Sequence, residues 1–139
     1  PVITMTSKAP MDTQKFKKVI DINLMGSVNV AKYCSVVFAK NKPDEDGERG
    51  VIVFVSSVAA SEGNRSQVAY GASKGAINGL VLPMARDLGR YNIRVVAIAP
   101  GIFDTPLGDV IPEPIKQGLR AATPMKRTGK PSEFRQFVC

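Results

Sequence analysis

VIVFV at Val51–Val55 and IRVVAIA at Ile93–Ala99 are the two stretches on which the fold turns. Each is an unbroken run of β-branched, aliphatic or aromatic residues with almost no polar alternation, the mark of a strand covered on both faces, as parallel strands are. Between them lies a polar loop, Ser61 to Ser66, and then a long segment with Tyr70, Ala72, Lys74, Ile77, Leu80, Leu82, Met84 and Leu88 that predicts a helix from near Gln67 to Gly89. Pro83 inside it removes a backbone hydrogen bond and should bend it. A strand, a long helix and a second strand make a crossover unit, so the sheet is expected to be parallel and the fold class α/β.

The pattern extends both ways from this unit. Upstream, Asp12 is a candidate N-cap, and Phe16, Val19, Ile20, Leu24, Val28 and Ala31 recur at helical spacing toward Asn41. The stretch Pro43 to Gly50, with four acidic residues around Gly47, reads as an exposed polar turn that ends this helix. Downstream of Gly101 the chain is rich in proline, at Pro106, Pro112, Pro114 and Pro124, and reads as a mobile loop with short helical pieces. Pro131 and Glu133 suit the first turn of a further helix.

Composition limits the chemistry. The chain has 139 residues, 44% hydrophobic and 22% charged, which is the range of one globular domain with a real core. No apolar run approaches the roughly 18 residues that cross a bilayer, so no membrane span is expected. The chain has no histidine, which removes Ser-His-Asp hydrolases and His-ligated zinc, and Cys34 and Cys139 lack metal-ligand spacing, so no metal is expected. The net charge of +7 would suit an anionic partner such as RNA, a membrane surface or a phosphorylated cofactor. Its basic residues are scattered and not interleaved with stacking aromatics, which favours a solvated surface, so nucleic acid is possible but not indicated. The chain begins without methionine and ends inside a helical pattern, and is therefore expected to be a piece of a longer protein.

Four residues could carry chemistry. Tyr70 and Lys74 lie four apart in YGASK, so on a helix they share a face. An isolated phenol titrates at about pH 10, and a nearby ammonium favours its ionised form, so such a pair can shuttle a proton. Ser57 follows the first strand at its carboxyl end, where open α/β sheets bind ligands; its hydroxyl could hold a substrate oxygen or simply cap the loop. Asn23 interrupts an apolar helical pattern and needs a partner, either a water leading toward Lys74 or a neighbouring carbonyl. Pro100 and Gly101 close the second strand on the same edge as Ser57.

Taken together, NLMG (Asn23–Gly26), VSSVAA (Val55–Ala60), YGASK (Tyr70–Lys74), RVVAIAPGIFDT (Arg94–Thr105) and GKPSE (Gly129–Glu133) resemble, in order and spacing, successive motifs of the short-chain dehydrogenase/reductase family. INLMGSVNV, SVAASEG, LPMARDL and IAPGIFDTPL resemble most closely the family's type-2 3-hydroxyacyl-CoA and hydroxysteroid dehydrogenase branch. The resemblance implies a partial Rossmann-like doubly wound parallel sheet with flanking helices. Residues 1–139 would then be a single domain, the C-terminal portion of a dinucleotide-binding domain whose Gly-rich half is not in this chain. It implies Ser57, Tyr70, Lys74 and Asn23 as catalytic residues, and Tyr70, Lys74, Pro100, Gly101, Phe103 and Thr105 as cofactor contacts, with Ser57 and Tyr70 also holding substrate. The parent would be a mitochondrial, homotetrameric enzyme of lipid metabolism using NAD on a small-molecule substrate, a 3-hydroxyacyl-CoA or a hydroxysteroid. An NADPH-dependent 3-oxoacyl thioester reductase and a non-catalytic RNA-binding scaffold are the alternatives. The segment Ile102 to Met125 would be a lid over the site, and this fragment alone is expected to be inactive.

Overall fold

The computed structural model describes residues 10–138, so Cys139 lies outside the described residues. The chain forms two compact units, one ending at Ala99 and the other beginning at Pro100.

In the first unit the Asp12 carboxylate accepts the Gln14 amide at 2.8 Å and opens helix α1, Thr13–Ile20. The helical path then passes through a π-helical turn, Asp21–Met25, into α2, Gly26–Phe38. The expected single helix toward Asn41 is thus interrupted, and the interruption carries Asn23. β1, Gly50–Val55, pairs in parallel with β2, Ile93–Ile98, in the register Gly50↔Ile93 to Val55↔Ile98. They are joined by a 3-10 turn, Val58–Ala60, and by α3, Val68–Gly89, with Pro83 inside it. These elements match the crossover expected from sequence.

The core explains why the strands are apolar. Ile52 and Phe54 of β1, Ile93 and Val95 of β2, Ala31 of α2 and Ile77 of α3 form one buried cluster, with Leu24, Phe38, Leu80 and Met84 packed against it. Alternate strand residues point the other way and remain open: Val51, Val55 and Val96 are 39%, 48% and 40% exposed. Burial on both faces is therefore not what the described residues show. The alternating strand residues Ile52, Phe54, Ile93 and Val95 share the core with α2 and α3, which leaves the opposite face without a covering layer. No helix among the described residues is long and apolar enough to cross a membrane.

In the second unit Thr105 caps a short helix α4, Pro106–Asp109, by accepting the Gly108 amide at 3.2 Å. α5, Glu113–Ala122, and α6, Pro131–Val138, follow, so the expected short helical pieces and restarted helix are present. Phe103 bridges Gly129: the Gly129 amide donates to the Ile102 carbonyl and the Asp104 amide to the Gly129 carbonyl, both at 2.9 Å. A Cβ on Gly129 would stand 2.6 Å from the Phe103 ring, so only glycine admits this contact without a shift. The Phe103 ring also meets Phe134 edge to face at 5.9 Å. Glu133 takes a two-pronged bond from Arg127, at 2.9 and 2.6 Å, and the Lys130 amide at 2.7 Å. Those bonds, Arg127's first, hold its carboxyl down to about 2.

Candidate active site at the end of the first strand

The site begins where β1 stops. Ser56 extends the ladder by one bond, its amide donating to the Ile98 carbonyl at 2.8 Å. Ser57 then leaves it with extended backbone and caps the 3-10 turn: its Oγ accepts the Ala59 amide at 3.1 Å and its carbonyl the Ala60 amide at 3.0 Å. The loop-capping role considered from sequence is thus present. It leaves the hydroxyl proton free of any bond among the described residues, so Ser57 retains a donor.

The first turns of α3 lie against this loop, and the glycine after Tyr70 makes the approach possible. A Cβ on Gly71 would sit 3.2 Å from the Ala59 carbonyl oxygen, tighter than ordinary contact. One helical turn beyond Tyr70, the Lys74 Nζ lies 5.7 Å from the centre of the Tyr70 ring. It donates to the Val55 carbonyl at 2.7 Å, the last residue of β1. Burial lowers the Lys74 pKa from its ordinary value, because partial removal from water penalises the ammonium. The ammonium has three donors, so the bond to Val55 leaves two for other acceptors.

Asn23 reaches the same helix from the π-helical turn. Its Nδ2 donates to Ser73 Oγ at 3.1 Å, and Ser73 Oγ donates to the Tyr70 carbonyl at 2.7 Å. Its side-chain partner is therefore a hydroxyl of α3, where sequence left a water or a neighbouring carbonyl open. Ser56 Oγ donates to the Lys74 carbonyl at 3.1 Å. The first unit thus brings Asn23, Ser57, Tyr70 and Lys74 to the loop and helix turns that follow β1. Pro100, Gly101, Phe103 and Thr105 belong to the second unit, where Phe103 is held by Gly129 and Phe134 and the Thr105 hydroxyl caps α4.

Ser56, Gly71 and Ser73 were not singled out from sequence. The available signal was the presence of small residues immediately beside the titratable ones, in VSSVAA and YGASK, since close approach of a helix to a loop requires small side chains there. A groove of about 580 Å³ runs beside β1, lined by every residue from Val51 to Val55 and by Ile22, Val30 and Phe38, with Lys74 among its walls. Consecutive strand residues share a cavity only along the strand's edge, and β2 fills the other edge.

Over residues 4–139 the chain matches the protein family described as enoyl-(acyl carrier protein) reductase. It is 46% identical over 126 residues to the 3-hydroxyacyl-CoA dehydrogenase type-2 of Homo sapiens, covering 90% of this chain and 48% of that protein. The chain belongs to the short-chain dehydrogenase/reductase family. It is also 37% identical over 128 residues to the 3-oxoacyl-[acyl-carrier-protein] reductase MabA of Mycobacterium tuberculosis, covering 92% of this chain and 49% of that one. Among solved structures, a 3-hydroxyacyl-CoA dehydrogenase type-2 from Mycobacterium avium superimposes with a TM-score of 0.89 at 39% identity, over 97% of this chain and 53% of that one. A 7α-hydroxysteroid dehydrogenase complexed with NADH and 7-oxo glycochenodeoxycholic acid gives 0.80 at 32% identity, over 92% and 48%. The fold is thus the family's α/β, Rossmann-type arrangement, represented here by a two-stranded parallel sheet with flanking helices. The chain spans about half the length of the curated relatives it matches.

Proposed function

We propose that the chain is the C-terminal catalytic portion of an NAD-dependent short-chain dehydrogenase that interconverts a secondary alcohol and its ketone, with a 3-hydroxyacyl-CoA as first substrate and a hydroxysteroid as second. The observation that carries this reading is the Lys74 ammonium beside the Tyr70 ring, anchored to the carboxyl end of β1. The open face of the sheet and the groove along the β1 edge support a longer parent that completes the sheet.

In this reading the Tyr70 phenol exchanges a proton with the substrate hydroxyl, and the Ser57 proton, unused by the loop, bonds the reacting oxygen. Lys74 places its charge beside the phenol and offers its two remaining donors to the ribose of the dinucleotide. That donor set fits such a diol; Pro100, Gly101, Phe103 and Thr105 are proposed as cofactor contacts on the family resemblance alone. When bound, the dinucleotide supplies the site that accepts or gives the hydride. Asn23 secures the helix that carries Tyr70 and Lys74.

An assay of the full-length protein tests the reading. Reduced dinucleotide should accumulate with a 3-hydroxyacyl-CoA and NAD, and far more slowly with NADP. A clear preference for NADPH with a 3-oxoacyl thioester would replace it with the reductase activity for which the Mycobacterium tuberculosis relative is named. Salt-sensitive RNA retention without dehydrogenase activity would make the protein a scaffold instead.

Three features of the parent are proposed with it. α2 exposes Tyr33 and Val37, at 65% and 60% and away from the β1 groove, an apolar patch suited to a second copy in a homotetramer; a monomer in sedimentation at micromolar concentration would contradict this. The segment Ile102–Met125 exposes Leu107, Val110 and Ile115 and is proposed as a lid. Its amides should gain protection from hydrogen exchange when dinucleotide is added, and unchanged exchange under demonstrated binding would remove that role. Mitochondrial residence in lipid metabolism rests on resemblance to the type-2 branch, and cell fractionation tests it.

A further inference from the structure

Ser73 is fully buried, at 0% exposure, and is one of three buried polar residues among those described; the other two, Ser56 and Ser57, directly follow β1. Its bond to the Tyr70 carbonyl is the usual way a helical serine satisfies its own proton, and by itself implies nothing. The second bond is different in kind. It comes from Asn23, 50 residues earlier in sequence, out of the π-helical turn. A π turn and an asparagine are both unfavourable inside a helix, and such turns cluster at functional positions. Here both are spent on one contact with the turn of α3 between Tyr70 and Lys74.

The geometry points to Ser73 as a positioning residue through which Asn23 fixes the orientation of Tyr70 and Lys74. The hydroxyl has one proton, given to Tyr70, and so must accept from its other neighbour; the Asn23 amide, which can donate, completes it in the one polarity available. Ser56 Oγ grips the Lys74 carbonyl and the Val55 carbonyl grips its Nζ, so this turn is fastened from the β1 end and from the π turn. The Tyr70 hydroxyl stands at the far end of a long side chain, so a small rotation of the turn becomes a larger displacement of the reacting atom.

The inference rests on Tyr70 and Lys74 being the proton-transfer pair, and the test separates the two. In the full-length enzyme, Ser73→Ala and Asn23→Ala should each lower kcat by about tenfold, within the ~100-fold that a 1 Å misplacement can cost, with dinucleotide Kd changed less than about twofold. The double variant should lose no more than the worse single one, since both remove the same bond. In the ligand-free protein, amides 70–74 should exchange faster in all three to the same extent. Asn23→Asp keeps the shape but presents an acceptor, which draws the Ser73 proton away from Tyr70. Its kcat should be low at neutral pH and partly recover as pH falls and the new carboxyl regains a proton to donate. Recovery of kcat with pH must appear while thermal unfolding shows the variant fully folded at every assay pH, since a merely destabilised variant would recover only by refolding, and it remains readable if either alanine variant fails to fold. A Ser73→Ala enzyme with more than half its kcat, losses that multiply in the double variant, or an Asn23→Asp profile parallel to wild type would each overturn the inference. If Tyr70→Phe were active, the reading of the site would fall first; if Tyr70→Phe is dead and Ser73→Ala is normal, only this inference falls.

Discussion

Replacing Tyr70 by phenylalanine in the full-length protein is expected to lower turnover by about a hundredfold or more, the usual contribution of a positioned general acid or base. The substitution removes one oxygen and leaves the ring, so the contact with the Lys74 ammonium and the turn beside Gly71 should persist. Lys74 also keeps its bond to the Val55 carbonyl, so the donors proposed for the ribose stay in place. Dinucleotide affinity should therefore change little while kcat collapses. Retention of more than about a tenth of the rate would remove Tyr70 from the chemistry. A parallel loss of dinucleotide binding would mean that the phenol holds cofactor and does not transfer the proton.

Ile77→Ala is expected to be the most damaging single truncation in the first unit, costing about 2–5 kcal/mol, the range for deleting a large aliphatic side chain from a packed core. Ile77 is 1% exposed and lies on α3, within the cluster formed by Ile52, Phe54, Ile93 and Val95. It is one turn beyond Ser73, so a cavity there also loosens the segment that carries the proposed proton-transfer pair. Denaturant unfolding of the full-length protein measures the effect. Val55→Ala is the control: Val55 is 48% exposed in the described residues, and its cost reports whether the rest of the parent covers that face. A loss at Ile77 below about 1 kcal/mol would contradict the assigned core.

Much of the architecture was legible because it depends on local pattern. Two apolar runs around a helical segment of this length leave a parallel crossover as the economical solution, and the Asp12 cap and the Pro131 start follow from backbone chemistry that each residue imposes on its own neighbours, whereas α3 runs as one helix through Pro83. The pairing of Tyr70 with Lys74 was legible for the same reason, since their spacing fixes a common helical face. The π turn was not, because it gives up regular helical bonding in exchange for a contact made 50 residues away.

The sequence by itself determined the α/β class, the position of both strands and of the helix between them, and the residue types able to move a proton. Only the tertiary structure decided that Asn23 is satisfied by Ser73, that Lys74 is tied to the end of β1, and that a single sheet face is covered in these residues. The division follows from range. Periodicity and capping are set within a few residues, where covalent geometry limits the choices. The partner of a buried polar group is set by whichever surface the folded chain brings opposite it, and no local pattern records that.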